Sequence, residues 1–335
     1  MKYSVIVPVF NRPGEVEELL GSLAACRYGD FEVIVVEDGS SLPCEDVAKA
    51  FSEKLDIKYF SKENSGPGQS RNFGSARACG EWLLILDSDV TVPQDWFEAI
   101  DAELAAAPCD AFGGPDRSHP SFSPVQKAIS YSMTSFFTTG GIRGGKKKLD
   151  KFFPRSFNMG IRRDVFKALG GFSEMRFGED IDLSIRIFEA GYKCRLFPGA
   201  WVWHKRRTDL RKFFRQVHNS GIARINLSKR HPGTLKAVHL LPAAFTIGLA
   251  LLILGAPFFG WFLLPIAAYA LLIFCDSCYR HRDCGLAGAI EIGALSVAAS
   301  FVQLTGYGSG FLRAWWRRCV LGGGEFDAFR RNFYK

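Results

Sequence analysis

Val33-Ile34-Val35-Val36-Glu37-Asp38-Gly39-Ser40 and Trp82-Leu83-Leu84-Ile85-Leu86-Asp87-Ser88-Asp89 decide how this sequence is read. Each is a short apolar run that stops abruptly in carboxylates. Such a run suits a strand buried on both faces, as in a parallel sheet. The acid that ends it then falls at the carboxyl edge of the sheet, where open α/β folds place their ligands. A lone Asp at a strand end is ordinarily a turn former or a helix cap. Asp-x-Asp after a buried strand is more specific, because burying unpaired charge is costly. Two carboxylates from one tight turn suit a hard cation whose shell a diphosphate completes.

Working outward, residues 4–10 repeat the strand pattern (Val5, Ile6, Val7), and 57–60 adds another strand. Between the first two strands Val16, Leu19, Leu20 and Leu23 recur at helical spacing after the Pro13-Gly14 turn. Further helices fit 45–55, 68–79, 96–107, 163–169 and 180–190, with short strands near 194–197 and 201–203. Strands alternating with helices predict βαβ units around a mainly parallel sheet, an α/β fold. A third acidic cluster, Glu179-Asp180-Ile181-Asp182, opens one of the predicted helices. Residues 113–155 lose this regularity and are rich in Gly, Pro, Ser and Lys. The cations of 143–148 there suit either a flap on an acceptor phosphate or a solvated loop.

The chain has 335 residues, a prior of about two domains. Hydrophobic residues make up 47% and charged residues 23%, which excludes a disordered tail or low-complexity scaffold. The apolar run at the N-terminus is too short for a signal peptide, so the N-terminal part is expected in the cytosol. Nine scattered cysteines suit a reducing compartment. Cys275, Cys278, His281 and Cys284 tempt as a zinc set, but structural zinc sites draw ligand pairs from separated elements, and membrane-edge cysteines account for them better.

From 237 to 275 there is no Asp, Glu, Lys or Arg, a run of 39 residues, when one membrane-spanning helix needs about 20. Gly255-Ala256-Pro257 and the aromatics up to Trp261 divide the run into a predicted hairpin, 238–256 and 259–275. Ten Lys or Arg lie in 205–236, and Arg280 and Arg282 follow the second span; both groups belong on the cytosolic side. Residues 209–230 read as a basic amphipathic helix on an anionic leaflet. A third apolar stretch, 285–312, either spans or dips and returns, with Gly306-Tyr307-Gly308-Ser309-Gly310 as its break. Spanning would leave the Arg-rich tail outside, against the positive-inside rule. The expected division is a catalytic domain at 1–205, a basic interfacial helix and linker at 206–236, a transmembrane region at 237–312 and a basic cytosolic tail at 313–335. The net charge of +8 concentrates beside the apolar segments, which argues against nucleic acid as partner.

The motifs together resemble glycosyltransferase family 2. Residues 4–11 (Ser-Val-Ile-Val-Pro-Val-Phe-Asn), Val35–Ser40, Gly68-Gln-Ser-Arg-Asn-Phe-Gly74, Asp87-Ser-Asp89, Asn158-Met-Gly160 and Gly170-Gly-Phe172 with Glu179-Asp180 occur in that family's order over about 200 residues. The resemblance implies an inverting transferase on a nucleotide-sugar-binding sheet of the GT-A type, with Mg²⁺ or Mn²⁺. It implies Pro8 and Asp38 at the base, Arg71 near the nucleotide or holding an acidic neighbour, and Asp87 on the nucleoside side. Asp89 and His204 would serve the metal. Asp180 would be the general base, Asn158, Met159 and Gly160 the floor between donor sugar and acceptor, and Glu179 and Asp182 would orient the helix start or touch the acceptor.

The chemistry suits these residue types: negative charge grows on the departing diphosphate, where a divalent cation stabilises it, and the attacking hydroxyl must lose a proton. Ser70 and Ser173 depart from the family's common residues without removing a proposed catalytic group. The Gln-x-x-Arg-Trp carried by that family's processive polysaccharide synthases does not occur in this sequence, so the resemblance implies single addition rather than polymer synthesis. The expected partners are a nucleotide-sugar donor, a glycan or lipid-linked acceptor and anionic lipid, at the cytoplasmic membrane with the catalytic domain in the cytosol. A sugar nucleotidyltransferase would need a Gly-rich phosphate loop with a basic residue near the first strand, and Val7-Pro8-Val9-Phe10-Asn11-Arg12 offers none. An inactive binding relative fits poorly with three intact acidic clusters.

Overall fold

The computed structural model describes residues 1–117, 119, 121–140, 152–175 and 177–325. The loop 143–148 and the tail beyond 325 lie outside them. In chain order, β1 (Tyr3–Val9), α1 (Pro13–Ala24), β2 (Phe31–Asp38), α2 (Glu45–Ala50), β3 (Ile57–Lys62), α3 (Pro67–Ser75) and β4 (Trp82–Leu86) form the regular βα half. Then follow β5 (Val90–Thr91), α4 (Trp96–Ala106), β6 (Ala111–Gly113) and β7 (Asp116–Arg117). Two helices come next, α5 (Pro124–Thr134) and α6 (Phe136–Thr139), before β8 (Asn158–Arg162), α7 (Arg163–Ala168), α8 (Glu179–Glu189), β9 (Cys194–Leu196) and β10 (Val202–His204). The C-terminal part holds α9 (Leu210–Arg230), α10 (Leu241–Gly255), α11 (Leu264–Arg280) and α12 (Gly285–Trp315).

The main sheet has the order β3-β2-β1-β4-β8-β6-β9. Its first four strands are mutually parallel, and β8 joins β4 antiparallel. The two apolar faces explain the unbroken hydrophobic strands. Val5, Val7 and Val9 of β1, with Val33, Val35, Leu84 and Leu86, pack on α1 and α4 through Leu19, Leu20, Leu23, Trp96 and Phe97. The alternate residues Ile6, Ile34, Val36, Leu83 and Ile85 pack on α7 and α8 through Phe166, Leu183 and Ile187. Period-two alternation therefore persists, but both phases are apolar because both faces are covered. A small second sheet, β5-β10-β7, sets His204 opposite Val90, one residue beyond Asp89.

The chain forms two compact units. One is built from residues 1–119 and 152–205, the other from 121–140 and Arg206–Glu325. This differs from a division at 205, because α5 belongs with the C-terminal helices. Its Ala128, Ile129 and Met133 pack with Phe213 and Val217 of α9 and Ala299 of α12. The apolar stripe of α9, read from sequence as leaflet-facing, is thus covered by protein, while Arg211, Lys212 and Arg215 remain exposed. Nor do the glycines at 306–310 break the third apolar segment; α12 is helical from Gly285 to Trp315. They are a packing groove. A Cβ on Gly310 would lie 2.0 Å from the His218 carbonyl oxygen, and one on Gly221 would lie 2.1 Å from that of Tyr307. Facing small residues let helix backbones meet, as in membrane helix pairs. Three segments, Ala237–Gly255, Gly260–Arg280 and Arg282–Val320, are long and apolar enough to cross a membrane.

Candidate active site

The sequence motifs converge at the carboxyl ends of β1, β2 and β4. Asn11 leaves β1 in the left-handed region (φ 53°), a conformation Asn tolerates. Its side-chain oxygen accepts from the backbone N–H groups of Ser41 and Leu42 at 2.8 and 2.9 Å, which ties the first βα turn to the second. Pro8 is buried in β1, opposite Val36. Asp38 is buried at the end of β2 and accepts from the N–H groups of Ser65 and Gly66 at 2.9 and 2.8 Å, and from Lys62. These three donors use most of the roughly four acceptor positions of a carboxylate.

Helix α3 carries a motif in which each residue has a separate contact. Gly74 lies against β1 and β2, where a Cβ would be 2.8 Å from Ile6. The Asn72 side chain donates to the Phe172 carbonyl and accepts from its N–H, both at 2.8 Å, and so fixes the Gly170-Gly171-Phe172 turn. Arg71 is buried and bridges two acids, Asp87 at 2.7 Å and Glu179 at 2.9 Å. Its charge cannot be lost, so it compensates both carboxylates. Burial nevertheless pushes Glu179 up to about 7, with Asp180 adding to the effect and Arg71 opposing it.

Asp89 faces the His204 ring, with Nε2 at 3.3 Å from one oxygen, and the Arg12 guanidinium at 2.5 Å from the other. Burial acts to raise its carboxyl, but His204 and Arg12 outweigh it and hold the group below the ordinary carboxylate range. Phe157 stacks on the His204 ring at 4.9 Å. One ligand atom each from Asp87, Asp89 and His204 lie within 4.8 Å of one another. Two carboxylates and an imidazole are donors that suit Mn²⁺ well and Mg²⁺ through their oxygens. With Asp89 largely buried and Asp87 and His204 half-buried, the set fits a divalent cation.

At the start of α8, Asp180 accepts from the N–H of Ile181 at 2.8 Å and pairs with Arg155 Nε at 2.8 Å. Ser184 Oγ donates to the Pro154 carbonyl at 3.1 Å, which holds the chain before Arg155 against α8. Asp182 turns inward and pairs with Arg186 at 2.9 Å; Arg186 in turn donates to the carbonyls of Leu169 and Gly171. Asn158 donates to the Ala200 carbonyl at 2.7 Å. The Met159 side chain lies in the core, and Gly160 sits beneath Phe112, whose ring would be 2.1 Å from a Cβ there. Arg12 and Arg155 were not singled out from sequence. Arg12 follows β1 directly, where a cation facing the acids of a neighbouring strand end is a signal; Arg155 offered none in its irregular stretch.

A parallel sheet with paired acids at its carboxyl edge and a mixed second half defines a nucleotide-sugar-binding fold of the GT-A type. Residues 4–170 match the family described as Glycosyl transferase family 2, and the chain belongs to that family. It is 29% identical over 249 residues to the pre-mycofactocin glycosyltransferase of Mycobacterium tuberculosis, covering 68% of this chain and 48% of that protein. It is 26% identical over 195 residues to the glycosyltransferase AglE of Haloferax volcanii, covering 56% and 62%. The chain thus spans about half the length of the mycobacterial relative. Among solved structures it is similar to a mannosyltransferase from Pyrobaculum calidifontis in complex with GDP-Man and Mn²⁺, with a TM-score of 0.63, 19% identity, and 88% and 86% of the two chains covered. S. aureus TarS 1–349 in complex with UDP gives a TM-score of 0.51 at 19% identity, over 90% and 92%. These likenesses show the fold.

Proposed function

We propose that this chain is a membrane-anchored, metal-dependent glycosyltransferase that moves one sugar at a time from a nucleotide-sugar donor to an acceptor hydroxyl, with inversion. The observation that carries this reading is the grouping of Asp87 and Asp89, which lie within the residues matched to family 2, with His204, in one compact unit that also presents Asp180. Asp38 and Pro8 line the base side, and Arg71 fixes Asp87 between nucleoside and cation. Asp87, Asp89 and His204 would hold Mg²⁺ or Mn²⁺, which would supply positive charge to stabilise the departing diphosphate.

Asp180 takes the proton of the attacking hydroxyl while the new glycosidic bond forms and the bond from anomeric carbon to diphosphate breaks. One displacement from the opposite face inverts the anomeric centre. Arg155 positions Asp180 for that transfer. The spans favour a lipid-linked or cell-surface glycan precursor as acceptor, and the exposed cations of α9 suit anionic headgroups on the cytosolic face of the inner membrane.

The test is a screen of UDP-, GDP- and dTDP-sugars for Mn²⁺-dependent release of nucleoside diphosphate by the purified full chain. With the active donor, D180N should abolish transfer and keep donor binding. R155A should lower kcat by roughly 10- to 100-fold at unchanged donor KM, the scale of a misplaced catalytic group, with R155K recovering part of the loss. Near-normal turnover by D180N would overturn the assignment of the base.

A further inference from the structure

Helices α5 and α6 stand apart from the rest of the first half of the chain. They follow β7 and precede β8 in sequence, yet they pack with the C-terminal helices. No charged residue occurs between Lys127 and Arg143. At one end of the pair, Tyr131 donates through its hydroxyl to Asp276 near the charged end of α11, at 2.6 Å, and Arg280 pairs with the same carboxylate. At the other end, the Tyr269 hydroxyl donates to the Phe137 carbonyl at 3.0 Å. Tyr269 lies near the middle of the span Gly260–Arg280. The seven residues from Asp276 back to Tyr269 advance about 10 Å along α11 at the helical rise. The α5–α6 pair therefore travels from the level of the charges into the middle of an apolar span.

Its surface is prepared for that depth. Phe136 is 65% exposed and Phe137 36% exposed, side by side at the tip. The hydroxyls beside them turn inward. Thr134 donates to the Ser130 carbonyl at 2.8 Å, Thr138 to that of Ser132 at 2.5 Å, and Thr139 to that of Ser135 at 2.9 Å. Backbone groups and hydroxyls that satisfy one another locally are what hydrocarbon demands of a polar chain, and a carbonyl in the last turn of a helix at that depth must rest on protein. Here it rests on Tyr269.

We infer that α5–α6 is a re-entrant element of the membrane region, with Phe136 and Phe137 embedded among the acyl chains of the bilayer beside α11. The inference rests on the reading that α10–α12 span the membrane.

Full-length F136C, F137C and L271C, reconstituted in nanodiscs of phosphatidylethanolamine and phosphatidylglycerol, provide the test. Nanodiscs leave both faces open, so orientation does not enter. Each protein is treated with a membrane-impermeant or a lipid-soluble maleimide, and labelling is read peptide by peptide. Native Cys79, which is exposed, reports water, and Leu271, 62% exposed on α11, reports the span. The buried Cys44 must stay unlabelled as a check of folding. Phe136 is exposed, so F136C removes little packing. The expected result is that the thiols of F136C, F137C and L271C escape the impermeant reagent and react with the lipid-soluble one, while Cys79 takes both. Labelling of F136C and F137C by the impermeant reagent, with L271C still protected, overturns the re-entrant element alone. Protection of F136C and F137C from both reagents means cover by protein and also overturns it. Labelling of L271C by the impermeant reagent removes the spanning reading and the inference together.

Discussion

Glu179 shows how one residue can be stable in the fold and still carry a pH cost. Its carboxyl is buried on Arg71, a cation it shares with Asp87. Burial raises the group from 4.5 to about 7, with Asp180 beside it adding to the effect and Arg71 working the other way. Below 4.5 the folded and unfolded chains both hold the proton. Between 4.5 and about 7 the folded chain keeps a proton that the unfolded chain has released. Stability from this group is therefore present in full at the acid end and is lost as pH rises through the window. E179Q cannot titrate, so the Tm of the parent should fall relative to E179Q between pH 5 and pH 8. A Tm difference that is the same at both ends would remove the assignment. This balance was not legible in the sequence, where Glu179-Asp180 reads as the acidic first turn of a helix. The partner that opposes the rise, Arg71, lies 108 residues away and became visible only when α3 met α8.

At the scale of elements, the sequence was most informative where local pattern and tertiary packing ask for the same thing. The runs in β1, β2 and β4 read as doubly buried strands, and each sheet face is covered by helices. Helix α12 shows the opposite case. Five residues with three glycines read locally as a break, because glycine is a poor helix former. The close approach of α9 reverses that meaning, since a Cβ on Gly310, or on Gly221 of α9, would lie only 2.0 or 2.1 Å from a carbonyl oxygen of the facing helix. The uncharged stretch of α5–α6 was likewise readable, but at fewer than 20 residues it fell below the length that marks a span. The glycine contact makes a differential prediction. G310A and G221A should each lower stability by about 1–3 kcal/mol, the usual cost of overpacking. G248A, in α10 with open space around its Cα, should be neutral or should gain up to about 1 kcal/mol from helix propensity. Thermal unfolding of the three variants in one detergent separates the two outcomes. Equal losses at all three positions would mean that helix propensity, and not the α9–α12 approach, is being measured.

For the molecule as a whole the question is which force would hold it to a membrane, because the chain offers two candidates. Its excess of eight positive charges includes exposed Arg211, Lys212 and Arg215, which attract anionic headgroups. It also presents candidate spans whose apolar surface the protein itself barely covers, with 6% and 11% of the first two buried. The two forces respond differently to solvent. At 1 M salt the Debye length is about 3 Å, so attraction between exposed cations and headgroups is largely screened. Burial of apolar side chains in hydrocarbon does not depend on that screening and is strengthened by many salts. Alkaline carbonate neutralises lysines and opens vesicles, yet leaves hydrocarbon in place. If α10, α11 and α12 span, the full chain should stay in the membrane pellet through both 1 M salt and alkaline carbonate, and should leave it only with detergent. Release by salt would make the cations the anchor, and release by carbonate alone would place the helices on the surface. Retention through both washes would assign anchoring to the apolar helices and leave the basic residues of α9 a narrower task at the headgroups.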